Sequence, residues 1–350
     1  MLAYIFIIFF MVFLRVFVFN SWQMRDKEKL MFTILALIPI TVISGFRNEK
    51  IGPDTENYKS MFQDIADGNY DDRIEPGYIY FNKLLQFFTS DSQWLFIIVA
   101  VFLSVSIGTF VYKNARDPFL AILFFVTLGL FQFSLSGIRQ TIAVAITLLS
   151  MELIKKRKLF WFLGLIFLAS MFHKSALFFI PAYFIAHRNV TVKNVIIYFF
   201  GFTAIYFSAE FFLLKAADIL ELNYGVEETN NGGVFFSIVL LITVLGFRNR
   251  KRIVAVHSNS NKGIKSSNII FINLNFISLL LWAIRLVSRT AERLTFYYMP
   301  STYLLLEEYV SSIKTKKNRL NAYIIITVMA VTLFIYRIKS DSSLVPYSFF

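Results

Sequence analysis

Runs of up to about twenty apolar residues recur from one end of this chain to the other, and that patterning leaves few folds open. A bilayer core about 30 Å thick is crossed by a helix of ~20 mostly apolar residues. In lipid every backbone N–H and C=O must find an internal partner, which helices provide. Twelve candidate spans follow, at 2–19, 30–46, 93–112, 119–135, 138–154, 159–172, 176–186, 195–214, 234–247, 269–287, 294–310 and 320–336. The sixth and seventh are short, and read either as a re-entrant pair around His173 or as two full helices. The expected fold is an all-α polytopic integral membrane protein, a single domain over 1–350 of about twelve transmembrane helices (range about ten to thirteen). Composition agrees: 57% of residues are hydrophobic and 16% charged, against about 25% charged in ordinary globular proteins. No internal repeat is visible. The first run reads as a span and not as a removable signal, because no small-residue cleavage site follows it.

The net charge of +13 would suggest nucleic-acid binding in a soluble protein. Here topology is the better reading, because the basic residues sit mainly between apolar runs. The segments 20–29, 113–118, 155–158, 187–193, 248–268 and 311–319 hold 21 of the 35 Lys and Arg. Together with their flanking helix ends they hold six of the 22 acids. By the excess of cytoplasmic cations they are expected inside the cell. Both termini and the long 47–92 segment are then extracytoplasmic. That outer segment is acidic, and Pro76-Gly77 marks a turn within it. Tyr78, Phe81, Leu84, Leu85 and Phe88 follow at helical spacing, which predicts an amphipathic helix on the outer membrane face. The 248–268 segment, rich in Lys, Ser and Asn, reads as a flexible cytoplasmic loop.

Cysteine is absent, which excludes disulfides, a thiolate nucleophile and Cys-ligated metal. Asp54 and Glu56 have the spacing of a metal-binding pair, but such pairs are common in acidic loops. No metal or other cofactor is expected.

Charge beside a membrane span is costly and commonly faces a cavity or a partner. The informative residues gather on the expected outer side: Arg47 after the second span, Arg139 and Gln140 opening the fifth, His173 and Lys174 after the sixth, and Arg285, Arg289 and Arg293 around the tenth and eleventh. The last three are spaced by four, so on a continuous helix they share one face. Stacked cations on the side that disfavours Arg suggest a bound phosphate, which Arg forks match bidentately. Pairing of Arg285 and its neighbours with Glu292 is the plainer alternative. Arg139 lies in the turn Ser136-Gly137-Ile138-Arg139-Gln140, where a helix N-terminus adds N–H donors and partial positive charge. A snorkelling interfacial Arg is the alternative there. His173 suits proton transfer near neutral pH. Arg15 reads as a packing or snorkelling residue, and His187 and His257 as bystanders.

Several of these residues form a recognisable pattern. Arg47-Asn48-Glu49-Lys50-Ile51-Gly52-Pro53-Asp54-Thr55-Glu56-Asn57-Tyr58 resembles the outer-loop element of the EpsG-like, Wzy-type bacterial polysaccharide polymerases. Glu75-Pro76-Gly77-Tyr78, Arg139-Gln140-Thr141-Ile142-Ala143 and Phe172-His173-Lys174-Ser175-Ala176-Leu177 followed by Pro181 resemble three further elements of that family. Arg289 with Tyr297-Tyr298 resembles a weaker C-terminal feature. The motifs are clear from about Arg47 to Ala186, and their order and spacing carry the likeness more than any one of them.

The resemblance implies a membrane glycosyltransferase that joins oligosaccharide repeat units outside the bacterial cytoplasmic membrane, making capsule, exopolysaccharide or O-antigen. Donor and acceptor would both be carried on undecaprenyl diphosphate; a chain-length regulator is a further implied partner, and nucleic acid is not one. Expulsion of a lipid diphosphate calls for fixed cations, a task suited to Arg139 and the Arg285, Arg289 and Arg293 face. His173 is the expected base for the acceptor hydroxyl, with Asp54 or Glu75 as the other choices. Tyr58 and Tyr78 are expected to stack on sugar faces, and Arg47, Gln140 and Lys174 to bind substrate. Two other classes stay open. A lipid-linked oligosaccharide flippase is disfavoured by the missing repeat, and a membrane acyltransferase would use a His base without needing several outer Arg residues.

Overall fold

A computed structural model describes residues 1–22, 24–208, 215, 232–258, 267–288 and 291–350. Among the described residues all regular structure is helical, apart from one isolated antiparallel bridge between Arg47 and Phe349. In chain order the helices are α1 (Leu2–Phe13, continued by a π turn, Leu14–Val18), α2 (Asp26–Gly45), α3 (Thr55–Ala66), α4 (Pro76–Gln86), α5 (Gln93–Asn114), α6 (Pro118–Thr127), α7 (Leu130–Ser134), α8 (Ile138–Lys155), α9 (Leu159–Ser170), a 3-10 stretch (Lys174–Phe179), α10 (Pro181–Ala186), α11 (Val192–Phe207), α12 (Gly233–Arg248), α13 (Arg250–Ser258), α14 (Ser267–Arg285), α15 (Ala291–Thr295), α16 (Met299–Ser311) and α17 (Lys316–Ser340). Two compact units result. The first comprises Met1–Leu149, Phe167–Ala176 and Ile313–Phe350, and the second Ser150–Ile166 and Leu177–Ser312.

In the first unit α2 packs along α5. The first turn of α2 carries Asp26 and Glu28, favoured by the positive helix end, and the Arg25 N–H donates to Glu28 Oε2 at 2.9 Å. Asp117 caps α6 through the Phe119 N–H at 3.0 Å and pairs with Arg15 at 3.3 Å. Arg15 also donates to the Tyr323 hydroxyl of α17 at 3.1 Å, so a cation inside an apolar run has its charge and its donors matched. The second unit is centred on α14, most of which is buried against α10, α12, α15 and α16. Its polar side chains bind helices together: Asn275 Nδ2 donates to Thr243 Oγ1 at 2.7 Å, and Asn273 Nδ2 to the carbonyls of Ala186 and Arg188 at 2.9 and 2.7 Å.

Among the described residues four helices are long and apolar enough to cross a membrane: α2, α5, residues Asn268–Arg285 of α14, and α17. The expected spans at 138–154 and 234–247 coincide with α8 and α12. Others are cut short. The expected span at 119–135 divides into α6 and α7, and that at 294–310 into α15 and α16. The 12 residues of α9 rise about 18 Å, well under the ~30 Å core, and α10 is shorter still; neither expected helix around His173 has full length. The span at 195–214 is helical to Phe207, and 209–214 lie outside the described residues. The 248–268 segment, expected as a loop, carries helix α13, in which Ile253 is buried and accepts from Asn268 at 3.1 Å; 259–266 lie outside the described residues. Within 47–92 the expected helix after Pro76 forms as α4, and a second helix, α3, precedes it.

Candidate functional site

Three separate stretches of the first unit converge on Glu75. Glu75 is the residue before α4, where Pro76 occupies a first-turn position that lacks an N–H partner in any helix. Gly77 donates its N–H to the Met171 carbonyl at 2.9 Å. A Cβ at Gly77 would lie 2.7 Å from that same oxygen, so only glycine allows the 75–78 turn to lie on the backbone at 171. Glu75 itself is buried. Its Oε2 lies 2.6 Å from Arg139 Nη1, and its Oε1 accepts the Lys174 N–H at 3.3 Å. The carboxylate thus ties the start of α4 to the first turn of α8 and to the His173-Lys174 turn.

The Tyr58 side chain of α3 interacts electrostatically with Arg139. Among the described residues the Arg139 Nε is buried without a hydrogen-bond partner. Tyr58 and Tyr78 meet edge to face, with ring centroids 6.0 Å apart. Burial pushes the Tyr58 hydroxyl above its ordinary range, with the Arg139 guanidinium opposing, and burial pushes Tyr78 up as well. Both phenols are therefore neutral at physiological pH. Both rings are largely buried, Tyr78 completely so. Gln140 is buried one residue further along α8.

Asp54 joins the cluster from the start of α3. Its Oδ2 accepts the Ser136 hydroxyl at 2.7 Å, which brings a half-buried carboxylate to the turn that leads into Arg139. The approach requires Gly52, whose φ is +90° and whose Cβ, if present, would sit 2.3 Å from the Leu135 carbonyl. Thr55 Oγ1 lies on the same carbonyl at 3.1 Å.

His173 is buried beside this cluster. Its Nδ1 accepts the Ser175 backbone N–H at 3.3 Å and lies 2.8 Å from Ser175 Oγ. A backbone N–H can only donate, so a neutral ring in this position carries its proton on Nε2. That tautomer presents a donor where the expected base needs a lone pair.

The remaining expected residues fall elsewhere. Arg47 is 1% exposed. Its guanidinium donates to the Ser44 carbonyl, lies 3.4 Å from Thr55 Oγ1 and stacks on Phe96 at 4.6 Å. It closes the end of α2 and presents no open face to a ligand. Arg285, in the second unit, is 5% exposed and donates through Nε to Glu292 at 2.7 Å. The continuous helix on which Arg285 and Arg293 would share a face does not form, because α14 ends at Arg285 and a new helix begins at Ala291. Arg293 is exposed on that short helix, and Arg289 lies outside the described residues. Sequence reading missed Ser136 and Ser175 as partners of the acidic and imidazole groups; each stands beside a motif residue, and only the fold gives it an orientation.

A family model described as the EpsG family matches residues 29–349. The match extends beyond the 47–186 motifs through the C-terminal third. No curated protein and no solved structure matches the chain.

Proposed function

The chain belongs to the EpsG family, and from that premise we propose that it polymerises undecaprenyl diphosphate-linked oligosaccharide repeat units on the outer face of a bacterial cytoplasmic membrane. The single observation that carries this reading is the convergence of Asp54, Tyr58, Glu75, Tyr78, Arg139 and His173 within one unit. Four family-like motifs, far apart in sequence, supply those residues. Capsule, exopolysaccharide and O-antigen are the product classes such a transfer serves.

The proposed step forms one bond and breaks one. An acceptor-sugar hydroxyl oxygen attacks the anomeric carbon of the donor chain. The bond from that carbon to the diphosphate oxygen breaks, and the electron pair leaves with undecaprenyl diphosphate. Arg139 meets the charge that grows on the departing oxygens. The hydroxyl proton passes to a carboxylate. Glu75 has one oxygen on Arg139 and the other on the Lys174 N–H, so it orients the site. Asp54 has one oxygen on Ser136 and is the proposed base. His173, with its proton on Nε2, is proposed as a hydrogen-bond donor to the substrate. For Arg289 a phosphate contact rests on the resemblance alone.

The charge-based topology gains support within each unit. In the first, Lys29 lies over the Tyr112 ring at 5.5 Å and Arg319 over Trp22 at 5.3 Å, which groups three basic segments. The Glu75, Ser136 and Met171 turns meet as a separate group. In the second, Arg250 donates to the Val190 carbonyl at 3.1 Å and His187 lies 2.8 Å from the Ile154 carbonyl, again basic segment to basic segment. About twelve crossings with short or broken helices, and both termini outside, fit this grouping. The exposed Tyr80, Leu84, Phe87 and Phe88 in and just after α4 fit an interfacial helix.

The decisive experiment incubates purified protein with lipid diphosphate-linked repeat units alone. A ladder of longer products is expected. Transbilayer movement of unaltered substrate would indicate a flippase, and dependence on an acyl donor an acyltransferase. The topology is checked with single Cys residues placed in this Cys-free chain. A membrane-impermeant thiol reagent applied to intact cells is expected to label a probe at the exposed Asp67 position and not one at Lys251. Labelling of both would overturn the arrangement.

A further inference from the structure

The last helix does not end the ordered chain. After α17 residues 341–350 turn back onto the segment that follows α2, and the contacts have a common logic. A helix leaves its last four carbonyls without partners. At the end of α2 and the residue after it, four successive carbonyls are each met from outside the helix. Ile43 accepts the Tyr347 hydroxyl at 2.8 Å, Ser44 the Arg47 guanidinium, Gly45 the Gln93 amide at 2.7 Å, and Phe46 the Phe350 N–H at 3.2 Å. The segment 341–350 thus closes two of the four.

It also holds the turn beyond. The N–H groups of Asn48 and Gly52 donate to the carbonyls of Ser348 and Ser343 at 3.0 and 2.8 Å. Arg47 and Phe349 form the isolated bridge, Phe46 stacks on Phe350 at 5.9 Å, and Tyr347 meets Tyr4 edge to face at 5.5 Å. Leu344 is buried at the centre of the segment. On its other side the same turn is fixed to Leu135 through Gly52 and Thr55, and two residues after Gly52 comes Asp54.

We propose that residues 341–350 are a positioning clasp for the site. They hold the 46–52 turn against Leu135, so that Asp54 and Tyr58 are delivered to Arg139, with Tyr347 anchoring the segment to the end of α2. Misplacing a reacting group by about 1 Å, even from far away, can lower a rate ~10²-fold, and nothing else among the described residues binds the Asn48 and Gly52 N–H groups. The catalytic part of this inference rests on the polymerase reading; the clasp itself does not.

The test uses two variants of the full membrane protein: a chain ending at Ser340, and Tyr347→Phe, which keeps the ring and the whole segment. Amide hydrogen exchange over 46–58 and initial polymerisation rates are measured for each. Removal of 341–350 is expected to speed exchange at Asn48, Gly52 and the first turn of α3 by tenfold or more. It should lower kcat by roughly 10²-fold with little change in KM, and Tyr347→Phe should shift both readouts the same way by less. Unchanged exchange over 46–58 in the shortened chain would overturn the clasp. Faster exchange with parental kcat would overturn its positioning role. If the shortened chain does not accumulate in the membrane, parental exchange and parental kcat in Tyr347→Phe overturn the proposal. A parental protein that makes no ladder would defeat the polymerase reading, while the exchange comparison still decides the clasp.

Discussion

Asp54→Asn is expected to lower the polymerisation rate by roughly 10²–10⁴, the range that a positioned proton-transfer group supplies. The substitution keeps shape and can still accept the Ser136 hydroxyl, which lies 2.7 Å from Oδ2 in the parental site. It removes the ability to hold a proton taken from the acceptor sugar. Expression and binding of the lipid diphosphate should stay near parental. His173→Gln supplies the counter-test. A Gln side chain can place an N–H where imidazole Nε2 carries its proton, and it cannot act as a base. If His173 serves as a donor, Gln retains most of the turnover and Ala loses more. Near-parental turnover in Asp54→Asn, with a loss of 10²–10⁴ in His173→Gln, would return the base role to the imidazole.

The proposed shift of the base role from His173 to Asp54 turns on a detail that the sequence does not carry. That a His follows the sixth apolar run and precedes Lys174 is visible in the residues. Which ring nitrogen bears the proton depends on the Ser175 N–H, whose direction is set by the start of the 3-10 stretch. Likewise Arg47 and Arg139 look alike in sequence, each a cation bordering an apolar run. Arg47 is turned inward onto the Ser44 carbonyl and the Phe96 ring, and Arg139 toward Glu75 and Tyr58.

The helices were legible where hydropathy alone decides them, as at α2, α5, α8 and α12. They were not where a run is interrupted from within. The apolar stretch 119–135 contains Gly129 at φ +101° and Gln132, and it breaks into α6 and α7 there. Helix α3 was masked by its place in an acidic segment, although Tyr58, Phe62 and Ile65 recur at helical spacing and are its buried face. The 341–350 segment carries no periodic signal, and its partners lie some three hundred residues earlier, so no local rule points to it.

The other large effect is expected at Arg139. Arg139→Lys should lower the rate by roughly 10²–10³, the cost of removing one strong transition-state contact, although the charge is kept. In the parental site the guanidinium has Nη1 on Glu75 at 2.6 Å, the Tyr58 side chain as an electrostatic neighbour, and a buried Nε with no hydrogen-bond partner among the described residues. A planar fork can hold Glu75 with one edge and present another to a phosphate oxygen. An ammonium is a point charge on a thinner stem and cannot do both in fixed directions. It can keep the ion pair, so the fold should tolerate Lys far better than the loss of charge. Arg139→Met, by contrast, leaves the buried Glu75 carboxylate without its counter-ion and should reduce thermal stability as well as rate. The measurement pairs initial rates with melting temperatures for both variants. Slow polymerisation with a near-parental melting temperature in Arg139→Lys identifies the fork as a phosphate contact. Parental polymerisation in Arg139→Lys, with destabilisation confined to Arg139→Met, would reduce Arg139 to the counter-ion of Glu75 and move the diphosphate contact to another cation.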